Sequence, residues 1–209
     1  MAGGIGQRLR PFTYVDPKPL LKVGRYSSLE YSIKNLKEND VDHIFVSVNY
    51  MKEKFSICKS FEKKYCIKID VIEEKKRMGT VGSLSLMKEN LFEPFFLLNG
   101  DLFTNVSYKE MYKEFSNQNA DVMVGIKKHK SSSLYGVISF DKDNTFMGIR
   151  EKPSREDWIS TGVYLMGSSI LKLIEGRYTD FPDLLALATE KKLKITTYDI
   201  GHKWLDIGR

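Results

Sequence analysis

The chain has 209 residues, enough for one domain with a substantial core and too few for two ordinary ones. It is 42% hydrophobic and 29% charged, with a net charge of +6 and a pI near 9.1, which favours anionic partners. No run of 18 apolar residues and no apolar leader is present, so neither a spanning helix nor secretion is expected. Cys58 and Cys66 lack metal-type spacing and any disulfide framework; two packing thiols in a reducing cytoplasm are expected.

Beyond an opening glycine-rich stretch, the first helix is predicted from Ser27, whose spacing to Glu30 is that of a capping box, with Leu29, Ile33 and Leu36 on one face. A buried strand follows at His43 to Val48, a helix from about Lys52 to Lys64, and a strand from Ile67 to Ile72. Gly79 to Met87 reads as a loop entering a helix. Phe95-Phe96-Leu97-Leu98 is wholly apolar, the pattern of a strand inside a parallel sheet. Ser107 and Glu110 cap a further helix bearing Met111, Tyr112 and Phe115. After Asp121 the pattern turns strand-rich, at 121–126, 136–140, 146–149 and 161–166. Helical periodicity returns at 168–175 and 182–190, and Lys194 to Tyr198 closes with a strand. Strand and helix alternate through the first half, so one α/β domain over 1–209 is predicted, with a Rossmann-like, mixed and mostly parallel sheet flanked by helices.

Met1 to Val23 carries the densest chemistry. Gly3, Gly4 and Gly6 are followed by Arg8, Arg10 and Lys18, the last between Pro17 and Pro19. Glycines let a backbone come close to a ligand, and successive N–H groups in a turn form a concave nest for anionic oxygens. Arg8 and Lys18 add positive charge beside that nest, so phosphate binding is indicated. No Gly-Lys-Ser/Thr closes the loop as a Walker motif would. The dinucleotide fingerprint fails too, because Leu9 stands at its third glycine.

The stretch resembles instead the signature of the sugar-1-phosphate nucleotidylyltransferases. The match runs through Ala2-Gly3-Gly4, Gly6, Arg8-Leu9, Pro11, Thr13, Pro17-Lys18-Pro19-Leu20 and Val23. Further along, Gly100-Asp101, Tyr135-Gly136-Val137, Glu151-Lys152-Pro153, Thr161-Gly162-Val163-Tyr164 and Trp204-Leu205-Asp206-Ile207-Gly208 fall in the family's order. Gln7 and Arg25-Tyr26-Ser27-Ser28 depart from its pattern without touching a charged position. That family has the nucleotide-diphospho-sugar transferase fold, with a strand before the glycine loop and further structure after the last motif. On that resemblance the chain is expected to be a fragment lacking both.

The resemblance implies that a nucleoside triphosphate and a sugar 1-phosphate give an NDP-sugar and pyrophosphate. It assigns the nucleotide to Ala2, Gly3, Gly4, Gly6, Gln7, Arg8, Gly79, Thr80 and Gly100, and the sugar phosphate to Gly136, Glu151, Lys152, Thr161 and Gly162. Arg8, Lys18, Asp101 and Lys152 become the catalytic set. Asp101, just after an apolar strand, is well placed to project into a cleft; with Asp206 it would hold a metal. Two carboxylates completed by phosphate oxygens and water suit Mg²⁺ better than zinc. The stretch Glu73 to Gly82 looks like the guanylyl branch, and a carboxylate accepts the adjacent N1–H and N2–H of guanine together, so Glu73 or Glu74 is expected as its reader, with backbone groups of the stretch as the alternative. A catalytically silent sugar-nucleotide sensor on the same fold is the alternative. No nucleic-acid motif appears and no membrane partner is expected, while the sugar and the oligomeric state stay open.

Overall fold

Ser27 opens the first helix as its spacing predicts. In a computed structural model, which describes residues 1–91 and 94–207, the Ser27 hydroxyl accepts the Glu30 N–H at 3.2 Å and α1 runs Ser28–Glu38. Leu29, Ile33 and Leu36 form its buried face. The Glu30 side chain does not return to the cap; its Oε1 accepts from Lys64 Nζ at 2.9 Å and from the Tyr65 hydroxyl at 3.0 Å. A short antiparallel pair, β1 (Lys22–Val23) and β2 (Tyr26–Ser27), leads into this helix.

β3 (His43–Val48) and β4 (Lys68–Glu73) pair in parallel. The crossover between them is a 3-10 segment, Lys52–Ile57, and then α2 (Cys58–Tyr65), where the sequence predicts one helix. Cys58 packs in the core, and burial pushes its thiol up to about 11. Cys66 differs from expectation: it is exposed, in the left-handed position that ends α2. The predicted helix after Gly79 is also 3-10, Gly82–Asn90.

β5 (Phe95–Leu98), β6 (Leu102–Thr104) and α3 (Tyr108–Asn117) come next, α3 capped by the Ser107 hydroxyl on Glu110 N at 3.3 Å. β7 (Val122–Ser132) pairs antiparallel with β10 (Ser154–Met166), and between them in sequence β8 (Val137–Phe140) pairs antiparallel with β9 (Phe146–Arg150). α4 (Phe181–Glu190), β11 (Ile195–Asp199) and β12 (Trp204–Asp206) complete the order. Gly208 of the last motif lies outside the described residues.

The central layer is a mixed sheet in the order β11-β7-β10-β5. Met1 and Ala2 join it to β3. Met1 N donates to Leu98 O at 2.8 Å and Gly100 N donates to Met1 O at 2.8 Å, the alternation of a parallel neighbour, while Ala2 N donates to Ser47 O at 2.9 Å. The balance of directions differs from the mostly parallel expectation. Among the described pairings, β3 with β4 and β7 with β11 are parallel, and the others are antiparallel. The reason is β10, a 13-residue strand that returns between β5 and β7 and runs against both. Its inner end alternates between two cores: Val163 and Leu165 pack with Met111 and Phe115 of α3, and Tyr164 and Met166 with Leu84, Ile170 and Leu184. Burying each such side chain stabilises the fold by roughly 1.5–3 kcal/mol. Among the described residues no helix is long and apolar enough to cross a membrane.

Candidate active site

The glycine loop is held open by its own neighbours. Gly6 is left-handed (φ +66°), and a Cβ there would meet Thr13 Cγ2 at 2.8 Å, so glycine is required. Its carbonyl accepts from Leu9 N at 3.0 Å and from the Thr13 hydroxyl at 2.9 Å, and Tyr50 ties down the Thr13 carbonyl at 3.1 Å. This arrangement leaves Arg8 exposed on a single 3-10 turn, Gln7–Leu9. Pro17 and Pro19 are buried on either side of Lys18, while Gly100 lies against Pro19 and its carbonyl accepts the Ser28 hydroxyl at 2.8 Å. Lys18 is thereby aimed by two rigid, anchored neighbours.

The Lys18 ammonium contacts Asp101 Oδ2 and lies 3.4 Å from Asp206 Oδ1. Asp101 follows β5 directly. Asp206 arrives 105 positions later because β12 pairs with β6, which sets it opposite Leu102. One cation therefore already sits where both carboxylates converge. Among the described residues no group of three or more His, Cys, Asp or Glu gathers around one point. A two-carboxylate site completed by substrate oxygens and water is the arrangement Mg²⁺ favours, so these residues fit that ion and not an all-protein cage.

A cavity of about 570 Å³ opens above this floor. Ala2, Gly3, Gly4, Gly6, Gln7, Arg8 and Lys18 line it from the N-terminal loop, Glu74, Gly79 and Thr80 from the segment after β4, and Gly100 and Asp101 from the end of β5. The two adjacent glutamates part company here. Glu73 faces outward on β4, its Oε1 taking Lys52 Nζ at 2.5 Å, with both side chains about half exposed. Glu74 is buried beside Gly3, whose Cβ would stand 3.3 Å from Glu74 Oε1. Burial holds the Glu74 carboxyl above its ordinary range, against the Ser47 hydroxyl and the Met78 N–H, which stabilise its charge.

The residues assigned to the sugar phosphate lie off this cavity, along β8 to β10. Glu151 and Lys152 are exposed on the turn between β9 and β10, Lys152 with φ +41°. Gly136 is brought to Glu151: a Cβ on it would stand 2.9 Å from Glu151 Oε2. Gly162 (φ +77°) sits at the bulge in β10 and touches Asn99, a cavity-lining residue whose N–H it accepts at 2.9 Å, so it joins the two parts. Thr161 serves the scaffold: it is buried, its hydroxyl donates to Gly125 O at 2.7 Å and its carbonyl accepts the Trp204 indole N–H at 2.8 Å. Asn99, Tyr178 and Asp180 also line the cavity and were not singled out in the sequence.

A family model described as nucleotidyl transferase matches residues 1–209. A mannose-1-phosphate guanyltransferase of Candida albicans is 32% identical, and a mannose-1-phosphate guanylyltransferase 1 of Arabidopsis thaliana 31% identical; each match covers 100% of this chain and 60% of the relative. The chain thus spans about 60% of the length of the curated relatives it matches. Among solved structures, an inositol-1-phosphate CTP transferase of T. maritima superposes with a TM-score of 0.74 at 21% identity, over 99% of this chain and 86% of that one. That likeness establishes the shared fold.

Proposed function

The chain belongs to the nucleotidyl transferase family, and from that premise we propose that it makes a GDP-sugar and pyrophosphate from GTP and a sugar 1-phosphate, with mannose 1-phosphate the first candidate. A single observation carries the reading: Lys18 and Asp101 meet on the floor of a glycine-lined cavity that Arg8 also borders, and Asp206 comes within 3.4 Å of the same Lys18 ammonium. The substrates are both anions, so the barrier is mostly repulsion and misalignment, and positive charge held in place is what lowers it.

In the proposed mechanism a phosphate oxygen of the sugar 1-phosphate attacks the α-phosphorus of GTP in line. The new P–O bond forms as the bond to the β-phosphate oxygen breaks, and pyrophosphate leaves. Arg8 and the N–H groups of the Gly3–Gly6 loop neutralise the leaving pyrophosphate. Lys18 faces the phosphates at the reacting centre, and Lys152 holds the attacking phosphate while Glu151 accepts from sugar hydroxyls. Asp101 and Asp206 would hold Mg²⁺, which when bound neutralises charge shared by the two substrates. No general base is required, because the attacking phosphate is already ionised. Glu74 is the reader of guanine: its buried carboxylate can accept N1–H and N2–H together, whereas Glu73 is turned to Lys52. Two thiols without a partner suit a cytoplasmic setting.

The test is pyrophosphate release from each of five nucleoside triphosphates against mannose, glucose, glucosamine and heptose 1-phosphates, with and without Mg²⁺. The expected result is release with GTP and mannose 1-phosphate that requires the metal. Release with no pair, under conditions where the chain is folded, overturns the reading.

A further inference from the structure

The wall of the cavity beyond Thr80 is built by a segment a hundred residues away. Thr179 N donates to Met78 O at 2.9 Å and Val81 N to Thr179 O at 3.1 Å, so Arg177–Asp180 runs against the Gly79–Thr80 turn as a backbone partner. Gly79 is left-handed (φ +76°) and any Cβ on it would collide with the Thr179 carbonyl, which shows how closely the two segments approach. The cap of α4 comes across from the Gly79–Thr80 turn. Asp180 occupies the N-cap position of α4 but makes no cap to its own helix. Thr80 does that from the other segment: its hydroxyl oxygen accepts the Phe181 N–H at 2.7 Å. The Asp180 carboxylate is then free for a different task. Its Oδ1 accepts from Thr80 N at 3.0 Å and the Thr80 hydroxyl at 3.3 Å, and its Oδ2 accepts the Tyr178 hydroxyl at 2.9 Å. Phe181, the next residue, stacks on Tyr164 of β10 with ring centroids 3.6 Å apart, which fixes the start of α4 to the core.

Tyr178 is the unusual member of this group. Tyr178 lines the cavity yet is 60% exposed, an aromatic side chain tethered by its hydroxyl at one end. With its hydroxyl proton committed to Asp180, the side chain keeps an acceptor lone pair and the π-face of its ring for a ligand. Bases stack on such faces with little regard to their identity, because every base has one.

We propose that Tyr178 is a stacking platform for the nucleotide base or ribose and that Asp180 is its positioning residue, holding the platform and the Thr80 turn in one register. This rests on the nucleotide reading of the cavity and adds a contact outside the glycine loop and the guanine reader. It assigns affinity to Tyr178, while discrimination between bases stays with Glu74.

Titration calorimetry of the whole chain with GTP, with ATP and with inorganic pyrophosphate alone tests it. Tyr178→Leu is expected to weaken GTP and ATP about tenfold each, in the range of one base–aromatic stack, and to leave pyrophosphate affinity unchanged. Tyr178→Phe keeps the ring and loses its tether to Asp180, so it is expected to weaken GTP, but by less than Tyr178→Leu does. Asp180→Ala is expected to raise the KM for GTP with kcat and the KM for sugar phosphate unchanged, and Asp180→Asn, which can still accept from Thr80, to recover most of that loss. Equal GTP affinity in Tyr178→Leu and the unmodified chain overturns the proposal, as does a parallel loss of pyrophosphate affinity, which marks a general folding defect. If the unmodified chain binds neither GTP nor pyrophosphate, the nucleotide reading itself fails, and the platform with it.

Discussion

Glu74 lines the glycine-edged cavity and Thr13 and Ser28 bond to Gly6 and Gly100 of its wall, each less than 10% exposed, whereas Glu151 and Lys152 extend from a hairpin whose Ile138, Phe140, Phe146 and Ile149 are all more than half exposed. The first region is braced from several directions by residues distant in sequence: Thr13 by Tyr50, Gly100 by Ser28, Thr80 by Asp180. The second is a two-stranded pair, β8 with β9, joined to the body through the outer half of β7 and β10. Such a pair has few buried contacts and sits at the low-stability end of a domain. The difference teaches where preorganisation is needed. In the proposed reaction a leaving pyrophosphate is neutralised by donors fixed beforehand, and the glycine loop that would supply them is tied down through buried Thr13 and through Tyr50, while the proposed sugar contacts rest on a softer support.

Substitutions sharpen that comparison, beginning with the largest effect. Leu165→Ala removes a side chain with no exposed surface between β10 and α3 and should cost about 2–5 kcal/mol in thermal or denaturant unfolding. Arg8→Ala should slow pyrophosphate release on the order of 10²-fold or more with little change in melting temperature, because Arg8 is exposed; near-normal turnover would remove it from the mechanism. Lys152→Ala should raise the KM for sugar phosphate roughly tenfold, the worth of one charge-assisted contact, and leave GTP affinity in place. An equal loss for both substrates would erase the division between the two regions.

Glu74→Gln is a smaller and more diagnostic change. It should reduce the preference for GTP over other nucleotides, and an unchanged ranking would reject Glu74 as the reader. It should also carry a pH signature. The folded Glu74 carboxyl is held above its unfolded value, so its favourable contribution is complete below about pH 4.3 and is lost as pH rises through the folded value. The melting temperature of Glu74→Gln relative to the parent should therefore rise between pH 4 and pH 7; a flat difference contradicts the burial argument. Smallest of all, Phe146→Ser on the arm should change stability by no more than about 0.5 kcal/mol.

Much of this architecture is legible in the chain because its signals are local. Ser27 and Ser107 sit three residues before glutamates and cap helices in the structure, and the glycine loop with its flanked lysine points to the family within twenty residues. What escapes is what depends on pairing over distance. The all-apolar Phe95–Leu98 reads as parallel because composition reports burial and not direction, and β10 then runs against it. Glu73 and Glu74 are indistinguishable in sequence, since a strand turns successive side chains to opposite faces and its phase is unknown until the partner strand is placed. Asp206 is brought beside Asp101 by the three-residue pairing of β12 with β6 and the Ile207 N–H on the Asp101 carbonyl at 3.3 Å. The capping of α4 by Thr80 leaves no local mark, because Asp180 before Phe181-Pro182 looks like an ordinary helix start.

The most direct measurement is anomalous diffraction from crystals grown with Mn²⁺ in place of Mg²⁺ and a non-hydrolysable GTP analogue. The account predicts a manganese peak shared by Asp101 and Asp206, with the Lys18 ammonium moved onto phosphate oxygens and the analogue's phosphates against the Gly3–Gly6 loop. A peak elsewhere on the molecule, with Lys18 still seated between the two carboxylates, would contradict it.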